Sequence, residues 1–427
     1  MSTGQARAAL APECQEQRRR LLLGGALAAL GAGAKAAEPG PLRVAWISPQ
    51  TGALAAFGVT DAFVHSKLAP RFSAGLDGPQ GRRAVQVSLH DATSSSARAA
   101  ELATSLIADG VQMIVATATP EICNPVADVC EQAGVPCVST IAPWQAWFFG
   151  RKGKPESGFR WTYHFFVGLE DFADVYSSLF ARANLGSQIG GLFGDDIDAP
   201  AFLGAFPRVM AQRGLSLFDP GRIKLAEPDW TGVATRLREA KIQVVTGVLP
   251  PPLAVDFFEA ARKVGYQPKM AAIAKAFPFA DTVAKVSRPG LALTNEVWWS
   301  PAWPFRSALT GARAADLAQD YETSTGRPWV QTLGFSHALL EVVAQAVRTA
   351  PTSDREGLRE ALARLQVNTV VGPLSFRGRH PALNVCSTPA VGGQWLREAD
   401  GRWVLQVVDN TRSPFIPVTA KLNVATG

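Results

Sequence analysis

Hydroxyl-bearing residues and one lysine stand where segments of strand character end, and these residue types can hold an anion. Thr117 and Thr119 follow a β-rich run at 112–116, and Thr140 follows another at 135–139. Lys275 comes just after a third run at 270–273. Hydroxyls and the free backbone N–H groups at helix starts form a natural receptor for a carboxylate. The pattern predicts a site for an organic anion, with Lys275 either supplying a cationic contact or facing solvent beside a turn.

The sequence lacks the signatures of common enzyme sites. Gly52 and Gly58 do not form the G-x-G-x-x-G loop of dinucleotide-binding proteins, and neither a G-x-S-x-G elbow nor an H-E-x-x-H pair occurs. Asp195 and Asp196 are adjacent, and because adjacent side chains usually point in different directions, they are not expected to form a catalytic pair. We therefore predict a protein that is not an enzyme and that needs no cofactor and no metal.

Four cysteines follow the amino-terminal leader: Cys123, Cys130, Cys137 and Cys386. Cys123 and Cys130 lie on a predicted helix, about 10 Å apart by helical rise, which is too far for a disulfide. Cys130 and Cys137, on a helix and the strand after it, are the expected disulfide pair, since an exported protein permits one. Metal ligation is the weaker alternative, because no C-x-x-C motif or histidine pair accompanies these residues.

The amino terminus has the composition of an export signal. Three arginines at 18–20 precede an apolar stretch at 21–34, which is too short for a membrane span. Ala34, Lys35 and Ala36 supply the small-x-small cleavage pattern. Residues 1–36 are therefore predicted to be a signal peptide of the secretory or twin-arginine type, cleaved near Ala36 to leave a protein in the periplasm. The net charge of +6 is modest and mixed with acids, which argues against a nucleic-acid partner.

Segments of strand and helix character alternate from residue 42 onward, which is typical of parallel strands joined by crossover helices. About 390 residues follow the leader, too many for one compact core, and the alternation restarts near residue 189. We therefore predict two tandem α/β units with the ligand at the carboxyl ends of their strands. The predicted strands are at 42–47, 84–89, 112–116, 135–139, 189–193, 223–225, 243–248 and 270–273, and the predicted helices at 60–72, 95–108, 125–133, 199–213, 230–240 and 252–264.

Four further stretches follow one another along the chain. They are V-A-W-I-S-P-Q-T-G-A-L-A-A-F-G at 44–58, E-Q-A-G-V-P at 131–136, P-D-W-T at 228–231 and F-F-E-A-A-R-K-V-G-Y at 257–266. In this order and spacing they resemble the branched-chain amino-acid-binding (leucine/isoleucine/valine-binding) family, the type I periplasmic solute-binding proteins of ABC transporters. The resemblance covers nearly the whole chain after the leader.

The resemblance implies an α/β fold of two Rossmann-like lobes with parallel sheets, joined by three hinge crossings near 163–166, 293–297 and 371–376. Lobe one would comprise residues 41–164 plus 297–372, and lobe two residues 165–296 plus 373–425. It also implies that the lobes close over a small molecule, a population shift that needs contacts to both lobes. The closed protein, expected to be a monomer, would dock on an inner-membrane ABC permease.

One position departs from the pattern of this family. In its amino-acid binders a carboxylate of the second lobe holds the ammonium group of the ligand, whereas here the matching stretch A-I-A-K-A-F at 272–277 carries Lys275 and no acid. A lysine would repel an ammonium group, so we expect an organic or aromatic acid and not a free amino acid, held between aromatic walls. The predicted ligand-binding residues are Thr51, Phe57, Thr117, Thr119, Ser139, Thr140, Trp144, Asp196, Pro250, Lys275 and Trp299.

These inferences predict the periplasmic substrate-binding component of an ABC uptake transporter that captures a small carboxylate-bearing ligand by lobe closure. Two alternatives stay open at this point. The same clamp could be a sensor subunit that reports its ligand to a membrane receptor or kinase, or the chain could be an exported α/β enzyme.

Overall fold

The computed structural model describes Met1 and residues 40–196, 198–379 and 381–424. The predicted signal peptide and its cleavage position lie outside the described residues. Pro41–Gly427 forms one compact unit. Within the described ranges, no helix combines the length and the apolar character that crossing a membrane requires.

The first of two lobes is built on a six-stranded sheet in which every neighbouring pair is parallel. Its central strand β5 (Met113–Thr117) is buried along its whole length, whereas the edge strand at 85–91 is mostly partly exposed. This is the expected pattern for a parallel sheet that helices cover on both faces. In spatial order the strands are β15 (Val385–Cys386), β7 (Thr162–Phe165), β6 (Cys137–Thr140), β5 (Met113–Thr117), β1 (Leu42–Ser48) and β4 (Val85–Asp91).

The second lobe is built on a seven-stranded sheet that is parallel except at one edge. There a hairpin of two strands joins the sheet in antiparallel pairing. In spatial order the strands are β17 (Trp403–Asp409), β16 (Val391–Arg397), β12 (Ala292–Val297), β11 (Met270–Ala274), β10 (Val244–Val248), β8 (Gln188–Phe193) and β9 (Ser216–Phe218).

Helices connect the strands of both sheets, and two short antiparallel ribbons complete the fold. The ribbons pair β2 (Leu76–Gly78) with β3 (Gly81–Arg83) and β13 (Gln366–Thr369) with β14 (Gly372–Ser375). The helices are a short 3₁₀ helix (Ala55–Phe57), α1 (Asp61–Ser73), α2 (Ser96–Ala108), α3 (Pro120–Ala133), α4 (Trp144–Phe148), α5 (Leu169–Ala183), α6 (Ala199–Ala211), α7 (Trp230–Glu239), α8 (Pro251–Lys263), α9 (Ala280–Val286), α10 (Ala314–Thr325), α11 (Thr332–Thr349) and α12 (Arg355–Ala363).

The chain passes between the two sheets three times: between β7 and β8, between β12 and β15, and between β15 and β16. The predicted fold class of two mostly parallel α/β lobes is thereby confirmed. The third crossing differs from the expected position at 371–376, because β15 pairs in parallel with β7 and therefore belongs to the first sheet. The crossing follows Cys386, and the remaining lobe boundaries stay a prediction.

Two elements differ from their predicted positions. Residues 223–225 form no strand; the edge strand is β9 instead, which begins directly after the turn at Gly214 with φ 69°. The backbone N–H of Leu225 donates to Asp195 Oδ1 at 2.9 Å, so it is not available to a sheet. Helix α3 begins at Pro120, five residues before the predicted start, since proline suits the first position of a helix.

Asp61 is the centre of a buried polar network that ties α1 to the first sheet and to α11. Its carboxylate accepts hydrogen bonds from the hydroxyls of Thr117, at 2.9 Å, and Ser336. Trp46 Nε1 donates in turn to Thr117 Oγ1 at 3.0 Å. Burial raises the pKa of Asp61 to about 7, although hydrogen bonds from Ser336, Ser48 and Thr117 act in the opposite direction. The network thus contains a carboxyl group that titrates near neutrality.

Asp61→Asn should make the stability of the protein less dependent on pH. The pKa of Asp61 is about 7 in the folded protein, whereas its ordinary value is 3.8. At a pH between these two values, Asp61 is protonated in the folded protein and ionised in the unfolded chain. The protein's free energy of unfolding therefore falls as the pH rises through this interval, by ~4 kcal/mol at 1.36 kcal/mol per pKa unit. Chemical denaturation at the two ends of the interval measures the effect. A difference between wild type and variant that is equal at both pH values would show that Asp61 does not titrate there.

Candidate functional site

Three residues with positive φ follow directly on strands at the carboxyl ends of the two sheets. Ala118 follows β5 with φ 113°, Ile141 follows β6 with φ 71°, and Lys275 follows β11 with φ 66°. None of them is glycine. A non-glycine residue in such a region costs of order 1–3 kcal/mol, and such residues cluster at functional sites. The strained turns mark these strand ends as the candidate site.

A cavity lies between the lobes at these strand ends, and its walls are mostly apolar. Aromatic rings of Phe57, Phe166, Phe172, Phe202 and Trp298 line it. The centre of a water molecule can move in only about 30 Å³ of this cavity, so its facing walls lie close together. The structure therefore shows a closed cleft, and a solute enters when the lobes separate or the rings move.

Four side chains bring polar groups to this cavity: Thr119, Asp198, Lys275 and Glu296. Thr119 precedes α3 of the first lobe, whereas Asp198 precedes α6 of the second. Glu296 lies within β12, where its carboxylate accepts a hydrogen bond from Tyr176 Oη. Both acids are only 1% exposed. The cavity therefore combines flat apolar walls with two buried carboxyl groups.

The ammonium group of Lys275 is surrounded by three carboxylates. Lys275 Nζ lies 2.8 Å from Glu121 Oε1 and 3.5 Å from Asp196 Oδ2, and it also contacts Asp198 Oδ2. Glu121 belongs to α3 of the first lobe, while the other three residues belong to the second. We call these four residues the Lys275 cluster. It is an ion network that joins the two lobes across the cleft.

The charged groups of the Lys275 cluster shift one another's pKa values. Burial lowers the pKa of Lys275, but Asp198, Glu121 and Asp196 outweigh burial and raise it. Burial raises the pKa of Asp198 to about 7, with the attraction of Lys275 acting against it. For Glu121, Lys275 outweighs burial and lowers the pKa. Lys275 is therefore firmly charged, and one of its partners titrates near neutrality.

Lys275 lines the cavity as predicted, but its surroundings differ from both sequence interpretations. It is not a solvent-facing lysine, because it is 8% exposed. It is also not a free cation, because three carboxylates contact one ammonium group. No acid is adjacent to Lys275 along the chain; folding brings Glu121 to it from α3, and Asp196 and Asp198 from the loop before α6.

Most of the hydroxyl groups that were predicted to hold a carboxylate form hydrogen bonds within the first lobe instead. Thr117 belongs to the Asp61 network, Thr140 Oγ1 donates to the carbonyl of Phe165 at 2.6 Å, and Ser139 Oγ lies 2.9 Å from His164 Nδ1. All three hydroxyl-bearing residues are fully buried, and none lines the cavity. Thr119 is the one predicted hydroxyl residue at the cavity wall.

Five other predicted residues do not line the main cavity. Thr51 is exposed and donates to Asp91 Oδ2 at 2.6 Å, and Trp144 packs against Phe148 and Phe149. Trp299 is buried, with Nε1 donating to the carbonyl of Val370 at 3.1 Å. Pro250 caps α8, and Asp196 caps the start of α6 while contacting Lys275. Phe57, Thr119 and Lys275 are the predicted residues that the structure brings together around the cavity.

Sequence reasoning missed most of the wall, including both buried acids. Asp198 belongs to the run D-D-I-D at 195–198, so the density of acids just after a predicted strand was a usable signal. Glu296 offered no such signal, since a single acid within an apolar strand segment has no characteristic spacing. Phe166, Phe172 and Phe202 likewise look like ordinary core residues in the sequence.

The predicted disulfide between Cys130 and Cys137 is not formed. Cys123, Cys130, Cys137 and Cys386 are all free and buried. Burial, together with a hydrogen bond to Cys137, raises the pKa of the Cys130 thiol. Because the thiolate is the reactive form in disulfide chemistry, burial makes the Cys130 thiol less reactive. The prediction of a disulfide between these two cysteines was wrong.

Two α/β lobes, three crossings and a cavity at the facing strand ends define a solute-binding clamp. The sequence matches the periplasmic binding protein family over residues 41–391. The chain belongs to this family. Its solved neighbours are described as substrate-binding proteins. No curated protein sequence matches the chain.

Solved structures share the fold at low sequence identity. A solute-binding protein of an ABC transporter from Rhodopseudomonas palustris, in complex with 3,4-dihydroxybenzoic acid, is 17% identical with TM-score 0.69 and covers 88% of this chain and 99% of its own. The branched-chain amino acid transporter substrate-binding protein of Streptococcus pneumoniae, in complex with isoleucine, is 15% identical with TM-score 0.69, covering 86% and 99%. A leucine-binding protein of Thermotoga maritima is 16% identical with TM-score 0.68, covering 87% and 99%. These identities establish the fold alone.

Glu121→Gln should loosen the contact between the lobes, because Glu121 is the first-lobe member of the Lys275 cluster. A hydrogen bond to a charged group contributes about 1.5–3 kcal/mol, so the ligand-free protein should shift toward open arrangements. Small-angle X-ray scattering should then give a larger radius of gyration than for wild type.

Glu101→Gln is the matched control for this experiment. It removes the same charge from an exposed pair with Arg98 in the first lobe and should leave the scattering profile unchanged. If Glu121→Gln also scatters like wild type, the pair with Lys275 does not hold the lobes together.

Proposed function

We propose that this protein is the substrate-binding component of an ABC importer, and that it captures a small organic solute between its lobes as a monomer and delivers it to an inner-membrane permease. The observation that carries the proposal is the closed cavity, whose walls come from the strand ends of both lobes. Contacts from both lobes are what couples ligand binding to closure. Export to the periplasm with cleavage near Ala36 belongs to the same proposal.

The walls favour a ligand with a flat apolar body. Phe57 and Phe279 meet edge to face across the lobes with ring centroids 4.9 Å apart, and Phe166 and Trp298 meet in the same way at 5.2 Å. Aromatic walls of this kind suit planar and aliphatic groups. The 3,4-dihydroxybenzoic acid bound by the Rhodopseudomonas palustris protein is a small aromatic compound of the same kind.

A carboxylate on the ligand, as the sequence led us to expect, has weaker support than the aromatic body. That expectation depended on Lys275 as an available cation. The ammonium group of Lys275 already contacts three carboxylates of the protein. Thr119, which lines the cavity, is the remaining hydroxyl partner for such a group. The proposal therefore keeps the small organic ligand and its apolar body as the recognised features, with an organic acid as one class to be tested.

Phe57→Ala should weaken ligand binding at least tenfold, which corresponds to 1.4 kcal/mol, because it removes an aromatic wall and its contact with the second lobe. A thermal-shift screen of small aromatic and aliphatic compounds first identifies binders, since saturating ligand stabilises the protein by a few kcal/mol. Isothermal titration of the exported protein and of the variant then measures the affinity for each binder.

Phe415→Ala is the control, because Phe415 is 56% exposed and does not line the cavity. Its ligand affinity should equal that of wild type. Equal affinity of Phe57→Ala and wild type would show that the ligand binds elsewhere, and absence of binding by every compound class would count against a solute-binding role.

A further inference from the structure

The cavity contains a cation that the protein itself supplies. Among the described residues that line the cavity, Lys275 is the one basic side chain. Its ammonium group does not point into free space, because Asp198, Glu121 and Asp196 contact it. Lys275 is 8% exposed and Asp198 is 1% exposed. The acids on this side of the cleft therefore already have a buried counter-ion, which the chain provides from the end of β11.

Helix amino termini compensate the two acids of the cluster that do not line the cavity. Asp196 Oδ1 accepts hydrogen bonds from the backbone N–H groups of Asp198 and Ala199, at 3.2 and 3.0 Å, at the start of α6. Glu121 lies in the first turn of α3. Because the amino terminus of a helix carries a partial positive charge, it stabilises these acids in addition to Lys275. The cluster therefore leaves little negative charge for a cationic solute to balance.

Glu296, the other acid of the cavity, is satisfied without a counter-ion. Tyr176 Oη donates a hydrogen bond to its Oε2. Burial raises the pKa of Glu296 to about 7, although hydrogen bonds from Tyr176 and Trp298 act in the opposite direction. Burial favours the uncharged form of a carboxyl group. Glu296 can therefore stay protonated at neutral pH and adds no fixed negative charge to the cavity.

A charged group on a solute would lose its water in this cavity without gaining a partner. A carboxylate would need a cation, and three carboxylates already share Lys275. A cationic group would need a free acid, but Asp198 is held by Lys275, which would repel a second cation. Burying a charge without an opposite partner is far more costly than burying an uncharged group that makes a hydrogen bond. The cavity therefore discriminates against charge of either sign.

Thr119 offers the contact that an uncharged polar group requires. It is 2% exposed and lines the cavity. Its Oγ1 makes no hydrogen bond within the described part of the chain, although it lies near enough to Glu121 to lower the pKa of that acid. A hydroxyl group can both donate and accept, and a buried polar atom gains from finding a partner. It can therefore bind an amide, hydroxyl or carbonyl group of a solute.

We propose that the captured solute is uncharged, with a flat apolar body and a neutral polar group, and that Lys275 is the residue that determines this specificity. Its ammonium group is the built-in counter-ion of the acids at the cleft. This inference rests on the proposed solute-binding function and names the chemistry of its ligand. Neither a carboxylate nor an ammonium group on the solute is required.

Compounds of nearly the same shape but different charge test this directly. At neutral pH benzamide is uncharged, benzoate is an anion and benzamidine is a cation, and butanamide, butanoate and butanamidine form an aliphatic series. Titration calorimetry of the exported protein should show, in each series that binds, the amide binding at least tenfold more tightly than both charged members. A smaller advantage of the amide, or a preference for a charged member, would overturn the inference and leave a solute-binding protein in place.

Lys275→Met assigns the specificity to Lys275. Without the ammonium group the buried acids lack their counter-ion, so benzamidine should gain at least tenfold in affinity relative to benzamide. Lys67→Met, which breaks an exposed pair with Asp320, should keep the wild-type ratio of the two affinities. An unchanged ratio in Lys275→Met would show that Lys275 does not determine the specificity.

Circular dichroism verifies that each variant is folded. If Lys275→Met does not fold, Lys275→Gln replaces it in the same comparison, because its amide can still donate hydrogen bonds to the acids without carrying a charge. Absence of binding by neutral, anionic and cationic compounds alike, across a wider panel of solutes, would contradict both the inference and the proposed function.

Discussion

The shared ammonium group of Lys275 is the interaction on which the closed cleft depends. Removing charges from water is costly, and a buried ion network persists only when its members are paired closely. Here the single cation must contact acids from α3 of one lobe and from the loop before α6 of the other. The lobes therefore meet at a defined distance, because separating them strips Lys275 of Glu121.

The strained turns and the ion network lie at the same strand ends. Lys275 adopts a positive φ directly after β11, and Ala118 and Ile141 do so after β5 and β6. Regular backbone at these positions would direct the chain along the sheet axis, whereas the strained turns keep Lys275 and Ile141 at the cavity wall. The energy cost of this geometry is offset by burial elsewhere, in sheets whose central strands β5, β10 and β11 are buried along their whole length. Rigid lobes thus hold a few irregular residues in place where a solute binds.

Much of the fold was predictable, because it depends on local patterns. Strands with buried apolar runs and helices with regular periodicity recur along the chain, and the fold class that they indicated is the one observed. The edge strand β9 and the crossing after Cys386 were not predicted, since both depend on pairing with distant strands. The same limit applies to the site. Lys275 could be placed at a strand end, but Glu121 is 154 positions away and Asp196 is 79, and no spacing reports such contacts. Likewise, Thr117 and Thr140 have the residue type of an anion receptor, yet their hydroxyls satisfy polar groups inside the lobe.

The most direct test is the free energy of unfolding of Lys275→Met at neutral pH. If the ammonium group compensates three carboxylates, removing it leaves buried charge without a partner, and the variant should lose about 3–5 kcal/mol relative to wild type. Lys67→Met, which breaks an exposed pair with Asp320, should lose no more than about 1 kcal/mol. A Lys275→Met protein as stable as wild type would contradict the central role of the cluster and would return Lys275 to the status of a cation available to the ligand.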